Sequence, residues 1–284
     1  MTTSHTSGFW RRFARNKGAV AGLAVLLIVA LLVLAGPLLA QHDPWDMVQS
    51  PFLPPGAEAD TPLGTDTMGR DLLSGLVLGA RISLLIGVVS TVAALLIGVT
   101  VGAIAGYFSG WIDATLMRFT ELFQAVPSFA LAIVLVAIFQ PSVGSIVTAI
   151  ALVSWPPVAR LVRGEFLTLR QRDFVAAAQL AGLSTPRIII GQILPNAASP
   201  IIVMGSLMVA SAILLESSLS FLGLGDPNQM SWGYMVGSAR TVLRQAWWMA
   251  VFPGLAIVLT VLALNLVGEG LNDGLNARAE GRTR

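Results

Sequence analysis

The chain has 284 residues, 55% of them apolar and only 11% charged, with a mean hydropathy of +0.78. Soluble domains carry roughly 25% charged residues, so a water-covered globule is excluded, as is a disordered chain, which needs low hydrophobicity and high charge. The formal net charge of +2 gives no electrostatic reason to expect nucleic acid, and the absence of cysteine removes disulfides, thiolate nucleophiles and cysteine metal ligands.

What remains is a chain whose solvent is largely lipid, and uncharged apolar runs mark its spans. The first, residues 18–40, follows a basic stretch with Arg11, Arg12, Arg15 and Lys17. A signal-peptide core is only ~7–15 residues long, so this longer run reads as a retained helix. Residues 41–80 read as an acidic, proline-rich loop followed by an amphipathic helix over 68–78. Thr65-Asp66 is its expected cap, and Leu72, Leu73, Leu76 and Val77 form one side. A surface for an extracytoplasmic partner is a sharper reading of the same segment.

Further spans are expected at 82–108, 116–139, 143–162, 201–224 and 247–268, giving an all-α membrane protein with six transmembrane helices. With the N-terminus inside, thirteen of the 17 lysines and arginines face the cytoplasm, which the positive-inside rule favours. Both termini are then cytoplasmic, in tails 1–17 and 276–284. Trp45, Trp232, Trp247 and Trp248 fall near the outer interface, where amphipathic indoles tend to sit. In the second span Gly98, Gly102 and Gly106 recur every four residues, a small-residue face that lets another helix approach closely. That helix belongs either to this chain or to a neighbouring subunit.

The longest inner loop, 163–196, carries two expected short helices. Asp173-Phe174-Val175-Ala176-Ala177-Ala178-Gln179-Leu180 favours the first, and Gly182 ends it in the left-handed conformation. Ser184 caps the second, Leu194 before Pro195 stops it, and Ser199-Pro200 starts the fifth span. Such a hairpin is either a docking element for a partner or an amphipathic loop lying on the membrane. Within the fifth span Glu216 shares a face with Gly205, Ala212, Ser220 and Gly223, ~23 Å along the helix. It is either a structural ion held by neighbouring hydrogen bonds or a pathway residue near an outer gate.

No phosphate-binding loop is present, and the single lysine, Lys17, sits in the N-terminal tail. No H-E-x-x-H or G-x-S-x-G motif occurs, and His5 and His42 lie in a tail and a loop. Hence no catalytic or metal-ligating residue is assigned. One intramembrane carboxylate is too few for an ion pump, so the energy source is expected to lie outside the chain.

Ala177-Ala178, Gly182 and Leu194-Pro195-Asn196 resemble the EAA loop of ABC importer permeases. Leu63-Gly64-Thr65-Asp66, Gly69-Arg70-Asp71 and Gly79-Ala80-Arg81-Ile82-Ser83-Leu84 look like the entry to the second span in dipeptide and oligopeptide permeases. Glu216-Ser217-Ser218-Leu219-Ser220-Phe221-Leu222-Gly223-Leu224-Gly225, Ser231-Trp232-Gly233, Phe252-Pro253-Gly254 and Asn265-Leu266-Val267-Gly268-Glu269-Gly270-Leu271 resemble the same subfamily further on. Across about residues 10–275 the chain is similar to the C-type permease subunit of peptide/nickel importers. The resemblance implies the type I importer permease fold, with the permease domain at 81–275 and its coupling loop at 163–196. It also implies a bacterial or archaeal cytoplasmic membrane, a homologous second permease, two cytoplasmic ATPases holding ATP and magnesium, and an extracytoplasmic binding protein.

Transport would be alternating access, with no cofactor in this chain. Asp173, Phe174, Ala176, Ala177, Ala178, Leu180, Gly182, Arg187, Pro195 and Asn196 would form the ATPase-coupling site, and Glu216 and Ser220 a pathway or gate. The glutamate that names the loop would fall at Ala176, so coupling would rest on shape, backbone contacts, Asp173 and the nearby arginines. Substrates implied are di- or oligopeptides, with nickel, glutathione or opines as alternatives in the same family. An ion-coupled secondary transporter and a membrane enzyme are the readings outside it.

Overall fold

The computed structural model describes residues 4–280, and side chains over 9–275. The expected tail 276–284 lies outside the described side chains. Eleven helices are present among the described residues: α1 Ser4–Phe13, α2 Lys17–Leu39, α3 Leu72–Phe108, α4 Gly110–Gln124, α5 Ser128–Phe139, α6 Val143–Leu169, α7 Asp173–Leu180, α8 Thr185–Ile188, α9 Leu194–Leu219, α10 Trp232–Ala239 and α11 Trp248–Glu280. Five helical stretches are long and apolar enough to span a membrane, and the bent pair α4–α5 makes a sixth. Strand structure among the described residues is limited to two isolated bridges, Met47 with Arg70 and Thr65 with Asp71.

The most extensive contact in the molecule is α3 on α6, and the glycine row explains it. A Cβ at Gly98 would lie 2.5 Å from Val158 Cβ and 2.8 Å from the Trp155 carbonyl. At Gly106 it would lie 2.6 Å from Phe166 Cβ, and at Gly102 it would strike the Ala159 carbonyl. The row therefore faces a helix of the same chain. Around this seam α9 packs on α3 and α11, and α2 closes the bundle against α11. Asn16 Nδ2 donates to Asp273 Oδ2 (2.9 Å), so the first and last spans meet at the end that holds both termini.

Several expected boundaries move, each for a local reason. Asp71, not Thr65-Asp66, caps the second span: its carboxylate accepts from the Leu73 and Ser74 amides at 3.1 and 2.9 Å. The helix then runs unbroken from Leu72 to Phe108. Asp66 instead braces the preceding loop, taking the amides of Met68 (2.8 Å) and Arg70 (3.0 Å). The third span is broken between Gln124 and Ser128 with a bend of 80°, because Pro127 forces Val126 out of helical geometry. The fourth span continues to Leu169, about two turns past its expected end.

Leu194 does not stop the inner helix, and Ser199-Pro200 does not start a new one. A π turn at Ile189–Ile193 carries α8 into α9, with the Leu194 amide bonding back to the Ile189 carbonyl. The wider turn lets Pro195 fall in the first turn of α9, where its missing N–H costs little.

Two of the four outer tryptophans serve as pins inside the protein. Trp232 and Trp248 are buried, and their indole N–H groups donate to Leu76 O (2.8 Å) and Thr65 O (3.2 Å). Trp45 packs edge-on against Tyr234 under Arg70, whose guanidinium sits 4.7 Å from the indole centroid. Loop 41–71 is thereby stitched onto α10 and the start of α11.

If the α3–α6 seam sets the fold, filling it should be costly. Gly102→Val should destabilise the purified protein by about 1–3 kcal/mol, read as a fall in thermal unfolding midpoint. Gly164→Ala, inside α6 but with no atom near the new Cβ, should not lower the midpoint and should raise it slightly through helix propensity.

Candidate functional site

At the end that holds the termini, α6 ends level with α3 and carries the α7–α8 hairpin. Two arginines fix this root. Arg163 grips Asp113 with two bonds, Nη2 to Oδ2 at 2.7 Å, and Arg170 Nη1 donates to Tyr107 O (2.6 Å) and Ser109 Oγ (2.8 Å). The corner between α3 and α4 is thus locked to α6. Paired in this way, the charges can sit at the edge of an apolar bundle.

The hairpin is amphipathic in a particular sense. Val175 and Ala178 are buried with Val162, Phe166, Ile188 and Ile193. The opposite face bares Asp173, Phe174, Ala176, Ala177 and Leu180, with Phe174 37% and Leu180 90% exposed. Gly182 takes φ +76°, and the Leu183 amide returns to Ala178 O at 3.1 Å, closing α7 with a glycine C-cap. Beside it a groove is lined by Leu183, Pro186, Arg187, Ile190, Gly191 and Gln192, with Ile190 itself exposed.

The expected coupling residues therefore divide. Asp173, Phe174, Ala176, Ala177, Leu180, Gly182 and Arg187 share the exposed hairpin, whereas Ala178 points inward as an anchor. Pro195 and Asn196 sit exposed on the first turn of α9, and Asn196 Nδ2 bonds to Gln192 O (2.7 Å). Sequence reasoning missed the Arg163–Asp113 and Arg170 contacts, because their partners lie 50 to 63 residues away.

At the opposite end Glu216 is 1% exposed and accepts three serine hydroxyls: Ser231 (2.7 Å), Ser220 (2.9 Å) and Ser217 (3.4 Å). Ser231 is also the N-cap of α10, taking the Tyr234 amide at 2.9 Å. The same helix presses its glycines onto α9 and the π turn after it: a Cβ at Gly233 would lie 2.7 Å from Glu216 Oε1 and 2.8 Å from Ser217 Cα, and one at Gly237 2.6 Å from Ser220 O. On its other side the Trp232 amide reaches Ser83 Oγ of α3 (3.0 Å). A second π turn, Ser220–Leu224, ends α9 directly beneath this contact. Glu216 and Ser220, both buried, thus clamp α10 between α9 and α3. Sequence periodicity grouped Glu216 with Ser220 but could not supply Ser231 or Gly233, which return from across a loop.

Comparison with known proteins places these features in context. Residues 98–281 match the model of binding-protein-dependent transport system inner membrane components, and residues 4–55 that of the N-terminal TM domain of oligopeptide transport permease C. The chain is 43% identical to the di/tripeptide transport system permease protein DppC of Pseudomonas aeruginosa, covering 95% of this chain and 91% of the relative. It is 41% identical to the glutathione transport system permease protein GsiD of Pectobacterium atrosepticum, covering 95% and 90%. An inward-facing structure of the MetNI methionine ABC transporter superposes with a TM-score of 0.58 at 16% identity, over 69% of this chain and 93% of that one.

The clamp gives an ordered expectation. Glu216→Ala should lower stability by about 1–3 kcal/mol, because three hydroxyls lose a buried acceptor. Glu216→Gln, which keeps one acceptor oxygen, should lose clearly less. Thermal unfolding of the two purified variants checks the order.

Proposed function

The chain belongs to the family of binding-protein-dependent transport system inner membrane components, and from that membership we propose that it is a permease subunit of an ATP-driven importer of di- or oligopeptides. It sits in the cytoplasmic membrane of a bacterium or archaeon with both termini inside. It pairs with a homologous permease, is driven by two ATPases and receives substrate from an extracytoplasmic binding protein. It performs no bond chemistry of its own. The observation that carries this reading is the α7–α8 hairpin, an apolar knob held on a rigid stem at the basic end of the bundle.

A knob with small alanines flanked by Phe174 and Leu180 suits a hydrophobic cleft on an ATPase. Burying Leu180 alone contributes about 1.5–3 kcal/mol. With alanine at 176, the docking energy comes from shape and apolar area, and Asp173 and Arg187 supply the charge at its rim. Motion imposed on the hairpin passes through the π turn at Ile189–Ile193 into α9, which runs to the Glu216 clamp. Alternating access then amounts to tilting α9 and carrying α10 with it. The names of the similar permeases support peptides as cargo, and the glutathione permease among them supports a small γ-linked tripeptide as the second choice.

Reconstitution of the chain with its second permease, ATPases and binding protein tests both points. Leu180→Asp leaves the fold intact, since the side chain is almost wholly exposed, and should cut ATP-driven uptake by about tenfold or more, the equivalent of ~1.4 kcal/mol or more of docking energy. Unchanged uptake in that variant would remove the docking role. Competition by unlabelled dipeptide against glutathione separates the two cargoes.

A further inference from the structure

The break in the third span lies deep in the bundle and is not covered by this chain. Phe119 and Phe123 of α4 pack on Trp155 of α6, with centroids 6.1 and 5.3 Å away. Trp155 lies about 18 Å along a helix about 40 Å long, which is mid-depth for a hydrocarbon core of ~30 Å. Beyond the bend, Ala132 and Val136 of α5 pack on Ile146, Ala149, Ile150 and Val153 of α6. Between these two anchored stretches, residues 125–130 are all exposed.

The backbone there is unpaired. The Ala125 amide still reaches Glu121 O (2.9 Å), and pairing resumes only at the Leu131 amide with Pro127 O (3.0 Å). Among the described residues the amides of Val126, Ser128, Phe129 and Ala130 find no backbone acceptor, and the carbonyls from Leu122 to Val126 find no backbone donor. Proline removes one more donor outright. The side chains of Gln124 and Ser128 make no hydrogen bond among the described residues either.

Lipid cannot accept such a segment, because each unpaired amide or carbonyl in hydrocarbon costs several kcal/mol. A flanking helix of another subunit has already paired its own backbone and could offer only a few side-chain hydroxyls or amides, fewer than the four amides and five carbonyls left open here. Water can satisfy it, and so can a solute that carries its own amide, ammonium and carboxylate groups. We propose that residues 124–130 line the aqueous path through the assembled transporter, where a short zwitterionic peptide exchanges hydrogen bonds with the open backbone and with Gln124 and Ser128. This inference rests on the permease reading above.

The absence of native cysteine makes the test direct. In the assembled transporter in membrane vesicles, Ser128→Cys should react with a charged, membrane-impermeant methanethiosulfonate about tenfold faster or more than Ala132→Cys, a buried position one turn on, because a thiol must ionise in water to react. The attached charge should then lower peptide uptake several-fold. Ser128→Cys labelled only by a lipid-soluble maleimide would place the break in lipid and overturn the proposal. Labelling in the isolated subunit but not in the assembly would show that another chain covers the break, and the proposal would fall in that case too. Wild-type assemblies that fail to take up any peptide would instead refute the permease reading.

Discussion

Everything else in the bundle hangs on the close approach of α3 and α6 along Gly98, Gly102 and Gly106. In lipid, apolar side chains gain little by leaving one hydrocarbon environment for another, so helix association depends on how near the backbones can come. Three absent Cβ atoms bring α3 against the Trp155–Phe166 stretch of α6 and bury Val158, Val162 and Phe166 completely. With α6 fixed against α3 to its last turn, the hairpin it carries gains a rigid origin, and the two arginine contacts on the α3–α4 corner stiffen it further. The hairpin owes its definite position to that foundation.

Set against this fixed pair, α9 is the element built differently at its ends. It enters through one π turn and leaves through another, and each is a place where a helix can change direction without losing its hydrogen bonds altogether. The entry turn joins it to the hairpin, and the exit turn lies under the carboxylate that holds α10. Within this chain Glu216 fastens α10 to α9. A buried carboxyl group engaged by hydroxyls specifies one geometry, because releasing any partner leaves a buried polar atom unsatisfied.

Much of this was legible in the residues, and the limits are physical. Gly182 as a left-handed stop, the glycine row as a packing face and the spans themselves rest on local rules, so sequence sufficed. Pro127 was visible, yet the stretch around it is apolar enough, despite Gln124 and Ser128, for hydropathy to read 116–139 as one span. Pro195 misled for the opposite reason: a proline reads as a stop unless a π turn precedes it, and π turns have no local signature. Period alone could have separated Val175 and Ala178 from Phe174, Ala177 and Leu180, and it would have turned Ala178 inward. The partners of Glu216 and Arg163 were out of reach, because they are set by tertiary packing across many residues.

The stitching of loop 41–71 has a consequence for how the protein comes to be made. Its pin, Trp248, is 183 residues downstream of Thr65, and Asn16 waits 257 residues for Asp273. A ribosome delivers the first span and its outer loop long before either partner exists. During synthesis α2 therefore stands in the bilayer without its main neighbour, while α3 and α6, close in sequence, can already pair. The last helix to emerge is the one that seals the first, so a chain that stops short of α11 would leave both its opening span and loop 41–71 unfastened.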